Sequence, residues 1–130
     1  MNTKRIDKRD LFSTLWIVVI ISVILADVLS LFVPGIAEEL AMTAASTGVA
    51  IPQLMLFGAV MGAIGFAMIP LSRFLPYGAN RWANLIISPL YILYIIGGGT
   101  LYPHYIFLAT VEVICLLIIF WNALKWERDA

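Results

Sequence analysis

The stretch "LFSTLWIVVIISVILADVLSLFV", residues 11–33, carries a single charge, Asp27, among apolar and hydroxyl-bearing neighbours. About 20 consecutive apolar residues take an α-helix across the hydrocarbon core of a bilayer. The stretch therefore reads as a membrane span, closed by Pro34-Gly35. Three more apolar runs follow, at 52–70, 82–98 and 103–124. In hydrocarbon, backbone polar groups must be satisfied within a helix or around a closed barrel, and these runs are too continuous for barrel strands. The fold expected is all-α: a four-helix transmembrane bundle with spans near 11–33, 52–70, 82–98 and 103–124.

Composition points the same way. The 130 residues are 62% hydrophobic and 12% charged, too few polar side chains to cover a soluble domain of this size. The mean hydropathy is +0.99. One transmembrane domain is expected over 1–130. Residues 1–10 form a basic cytoplasmic segment and 125–130 a cytoplasmic tail. Residues 34–51 form an outer loop or a short interfacial helix, since "GIAEELAMTAAS" (Gly35–Ser46) is too short and polar to span. Pro52 suits a first helical turn, Pro70 reads as a stop, and Asn80 as the N-cap of the third span. The one cysteine, Cys115, excludes an internal disulfide and a CxxC redox pair; it reads as a small core residue.

Lysines and arginines set the orientation. Lys4, Arg5, Lys8 and Arg9 precede the first span, Arg73 and Arg81 lie between the second and third, and Lys125 and Arg128 follow the fourth. All eight fall on one side, so both termini are expected in the cytoplasm, in a bacterial inner membrane. Trp82, Trp121 and Trp126 sit near that interface, and Tyr102 and Tyr105 mark the other. A cleaved signal peptide is the weaker reading of the N-terminus. The apolar run is long for one, and the Ile24-Leu25-Ala26 site has a large residue where a small one is wanted.

With a rise of about 1.5 Å per residue, Asp27 lies about 9 Å below the outer end of the first span and Glu112 about 13 Å below that of the fourth. The two acids therefore share one outward-facing site if those spans are neighbours. Gln53, Tyr91, Tyr94 and His104 fall in the same outer half. A carboxylate in hydrocarbon costs at least about 2.5–3.5 kcal/mol. Two of them with tyrosine donors and no basic residue within a span have the chemistry of a proton, cation or amine site. The bland reading is interhelical glue. His104 reads as an interfacial histidine or as a gate of that site. One histidine makes a poor haem ligand set, and the spacing of His104, Asp27 and Glu112 does not support zinc. No metal, cofactor or catalytic residue is expected, because no nucleophile–base pair is present.

Gly58, Gly62 and Gly65 form a small face on the second span. Small faces allow close helix approach, either within one bundle or across a homodimer. Pro89 removes a backbone hydrogen bond from the third span. Asn84, Asn122, Ser13 and Thr14 read as bonds between helices on the inner side.

The segments "LSRFLPYGANRWANLI", "ADVLSLFVPG" and "FWNALKWE" resemble a family of small bacterial four-helix membrane proteins of unknown function, from about Leu15 to Trp126. A looser likeness is to the DoxX-like group. The resemblance implies the fold and no activity. The motifs of small multidrug-resistance transporters around their first-helix acid are not found, and vitamin K epoxide reductase-like proteins need paired cysteines. The expected function is binding or transport of a proton, a cation or a small amine-like or lipid-derived ligand between Asp27 and Glu112. The alternative is a structural or accessory subunit. The partner expected is the lipid bilayer, with no nucleic acid.

Overall fold

Asp7 sets the start of the first helix: its carboxylate accepts the Arg9 backbone N–H at 3.0 Å. In the computed structural model, which describes residues 7–127, five α-helices follow. They are α1 (Lys8–Ser30), α2 (Ile36–Thr47), α3 (Ile51–Phe74), α4 (Tyr77–Gly97) and α5 (Pro103–Leu124). Lys4, Arg5 and Arg128, which entered the orientation argument, lie outside the described residues. The 34–51 segment is helical rather than an open loop. Its α2 is framed by Gly35 (φ 83°) and Gly48 (φ 72°), a left-handed backbone that side chains with a Cβ resist.

Three of these helices, α1, α3 and α5, are long and apolar enough to cross a membrane. The sequence reading expected four. The fourth, α4, is 21 residues long but less apolar, because its first turns hold Asn80, Arg81 and Asn84 and its second half holds Tyr91 and Tyr94. Boundaries shift as well. Helix α3 continues through Pro70 to Phe74; proline costs one backbone bond, which neighbouring groups in a helical membrane protein can offset. Helix α4 starts five residues before Trp82, with Pro76 as its N-cap residue. Asn80 is therefore no N-cap. It is fully buried and donates to the Ser72 carbonyl at 2.7 Å, closing the C-terminal end of α3 instead.

Helix α1 packs along both α3 and α5, and α4 packs along α5. The seam between α3 and α4 is loose, and α2 rests on α3. Phe12, Trp16, Val19, Tyr91, Leu116 and Ile119 are fully buried. Trp16 meets Tyr91 edge-on, ring centroids 5.3 Å apart, a geometry worth about 0.5–1.5 kcal/mol beyond area burial.

Polarity is distributed inside out. Ser13, Ser72, Asn80, Asn84 and Ser88 are wholly buried, while Ile21, Leu93, Phe107 and Leu117 are more than half exposed. Together with three helices of spanning length, that distribution is the mark of a membrane protein, whose outer surface meets hydrocarbon. The buried polar groups form a connected set. Trp16 Nε1 donates to Asn84 Oδ1 at 2.8 Å, and Asn84 Nδ2 donates to Asn80 Oδ1 at 2.8 Å and to Ser72 Oγ at 3.4 Å. Ser88 Oγ donates to the Asn84 carbonyl at 2.6 Å. This network joins α1, α3 and α4 near the end where α1 begins and α5 stops.

The same end gathers the basic residues among those described. Arg73 bonds Ser13 and pairs with Asp10 at 2.9 Å. Arg81 Nε donates to the Ala123 carbonyl at 3.0 Å, and Lys8 bonds Asn122. Cations over the last carbonyls of a helix complement its dipole. Asn84, Asn122 and Ser13 thus bond across helices as the sequence suggested; Thr14 makes no such bond among the described residues.

Candidate functional site: a two-acid cavity

Because α1 and α5 are neighbours, their two acids come to one place. Asp27 and Glu112 line a cavity of about 100 Å³ between α1, α4 and α5, with Val23, Tyr94, Ile95 and Tyr105 among its other walls. Glu112 is only 3% exposed, whereas Asp27 is exposed, at the open edge of the cavity. Among the described residues neither carboxylate takes part in a hydrogen bond, and the one ion pair, Arg73 with Asp10, lies at the other end. No basic residue lines the cavity.

The tyrosines do not serve the acids. Tyr91, fully buried, donates its hydroxyl to the Met61 carbonyl at 2.6 Å, and Tyr105 donates to the Ile95 carbonyl at 2.7 Å. Both spend their polar handle on a backbone carbonyl of another helix. Tyr94 stands between two cavities, the acid-lined one and a larger one of about 260 Å³ among α1, α3 and α4. Asp27 lines both.

Two residues placed in the site by sequence lie elsewhere. Gln53, in the first turn of α3, is exposed and lines neither cavity. His104 pairs its Nε2 with Ser30 Oγ at 3.0 Å and stacks on Tyr102, so it joins the end of α1 to the start of α5. Among the described residues no three of His, Cys, Asp and Glu come together.

The glycine face of α3 turns toward this chain's own α1 and α4. A Cβ on Gly65 would collide with Ile20 Cδ1 and the Tyr91 hydroxyl. One on Gly58 would lie 3.8 Å from the Tyr94 hydroxyl, and one on Gly62 would meet open space, because Gly62 borders the larger cavity. Gly65 thus permits close approach, and Gly58 and Gly62 leave room.

A family model matches residues 3–130. The chain belongs to DUF6326, a family of unknown function. No curated protein and no solved structure matches it. What this DUF6326 chain can do therefore rests on the cavity. Two acids facing a space large enough for several waters, with no protein donor or cation on them among the described residues, have the chemistry to hold a proton, a metal cation or an ammonium group.

Outside the helices, Tyr102 donates to Glu39 Oε1 at 2.6 Å and ties α2 to the start of α5. That bond to the carboxylate holds the phenol proton and raises the Tyr102 pKa above its ordinary 10.0. The tie is complete at neutral pH and is lost as pH rises through the raised value. In a difference absorbance titration against Tyr102→Phe, the Tyr102 phenol is expected to ionise above its ordinary pH in the wild type and closer to it in Glu39→Gln. Equal midpoints in the two would disprove the tie.

Proposed function

We propose that this DUF6326 protein is a four-span integral protein of a bacterial inner membrane that binds a small cation between Asp27 and Glu112. The observation that carries the reading is the pair of acids on one cavity with no hydrogen bond to the protein among the described residues and no basic residue on its wall. Acids kept as glue between helices would be expected to bond to neighbouring helices. In this bundle that work falls to Trp16, Ser72, Asn80 and Asn84. A buried, unpaired carboxylate is costly, and a bound cation offsets that cost.

Two features support α4 as the fourth span. Its 21 residues reach about 31 Å, the thickness of the hydrocarbon core. Its asparagines and Tyr91, which lower its apolarity, are buried inside the bundle rather than turned to lipid. Lys8, Arg9, Arg73, Arg81 and Lys125 then lie on one side, the cytoplasmic one. In spheroplasts, a Ser46→Cys variant is expected to react with a membrane-impermeant maleimide, and a Glu127→Cys variant only after permeabilisation. The reverse pattern overturns the orientation, and labelling of both overturns the four-span topology.

The cation reading is tested by thermal melting in detergent. A ligand that binds only the folded state raises the melting temperature as its concentration passes Kd. Methylammonium is expected to raise it for wild type and not for the Asp27→Asn/Glu112→Gln double variant. Equal shifts in both proteins count against the site.

A further inference from the structure

The two cavities that Asp27 joins differ in kind, and the difference points to a ligand class. The acid-lined one, about 100 Å³, holds the carboxylates. The larger one, about 260 Å³, is walled by Ile20, Met55, Phe66, Tyr91 and Tyr94, with Gly58 and Gly62 supplying its space. Its floor is buried, at Ile20 and Tyr91, while Met55, Phe66 and Ile24 at its edge are 65%, 51% and 46% exposed. It lies between α3 and α4, which pack loosely on each other, and is closed on its third side by α1. Resting on the cation reading above, we infer that the ligand is a lipophilic amine. Its ammonium group sits at Asp27 and Glu112, and its apolar or aromatic tail lies in the glycine-lined chamber, reached from the side through the bilayer.

Three features of the molecule agree. Glu112 is 97% buried by its 3% exposure and has no bonding partner among the described residues, so the acid cavity has an unanswered charge to offer. Asp27 is common to both spaces, so a head and a tail fit one molecule. Tyr91 and Tyr94 border the chamber, and their ring faces suit an ammonium or an aromatic tail. A bare metal ion would use only the smaller space and would leave the chamber without a purpose.

The test uses the full chain in lipid nanodiscs and competition against radiolabelled methylammonium. 2-Phenylethylamine is expected to displace the label with about tenfold higher affinity than unlabelled methylammonium, and 2-phenylethanol, with the same tail and no charge, is expected not to displace it. In Gly62→Leu, where the new side chain enters open space, that advantage is expected to vanish while methylammonium binding persists. Equal affinities of the two amines in wild type, or an advantage retained in Gly62→Leu, overturns the tail chamber and leaves the cation site standing. If methylammonium itself shows no saturable binding, the cation reading fails and this inference with it. A Gly62→Leu protein that does not fold is replaced by Gly62→Val, with the same expected result.

Discussion

Glu112→Gln is expected to fold at least as stably as wild type while binding methylammonium about 10- to 100-fold more weakly. The two halves have separate causes. Glu112 is buried and bonds to no protein group among the described residues, so removing its charge relieves a burial cost of at least about 2.5 kcal/mol and breaks no helix-to-helix contact. The cation, by contrast, loses one charged partner, and hydrogen bonds to charged groups contribute about 1.5–3 kcal/mol. Asp27→Asn is expected to behave alike with a smaller gain in stability, since Asp27 stands at the open edge. Unfolding in mixed micelles reads the first half and equilibrium binding the second. A fall in stability of the ligand-free variant would mean that the acid holds helices together, and the site would lose its support.

Asn84→Ala is expected to do the opposite: a loss of about 2–3 kcal/mol of stability, with cation binding intact in whatever remains folded. Asn84 accepts from Trp16 and donates to Asn80 and Ser72, all four being fully buried. Single bonds between membrane helices average about 0.6 kcal/mol. Truncation also leaves the indole N–H and the Asn80 amide oxygen without partners, at about 1–3 kcal/mol for each stranded group. Trp16→Phe removes only the first bond but loses ring area as well, and is expected to cost about 1 kcal/mol or more. An Asn84→Ala protein that unfolds within 0.5 kcal/mol of wild type, as a ~0.5 kcal/mol change is ordinary for surface positions, would deny the network its structural role.

The contrast between these two variants shows which parts of the molecule could be read from sequence. Asp27 and Glu112 stand out because a charge in an apolar run is unmistakable, and counting residues along two helices gives their depth. Their meeting depends on α1 and α5 being neighbours, which no local pattern states; only the packing of the bundle supplies it. Gln53 lies away from both cavities because depth along a helix does not give the face, and this residue is exposed. The partner of His104 was not legible for a related reason: Ser30 is 74 residues away.

Asn80 and Ser72 escaped notice as a pair because asparagine just after a turn looks like an N-cap, whereas here its amide reaches back to close the preceding helix. Pro70 looked like a terminus because proline usually ends helices in water, and α3 nonetheless continues past it. The glycine row was legible as a small face. Its direction, toward Ile20, Tyr91 and Tyr94 of the same chain, came only from the arrangement of α1 and α4 around it.

Equilibrium dialysis of radiolabelled methylammonium against the full chain in nanodiscs tests the central claim most directly. Saturable binding approaching one cation per chain in wild type, abolished in the Asp27→Asn/Glu112→Gln double variant, is the expected result. Absence of saturable binding in wild type, or binding that survives in the double variant, would contradict it.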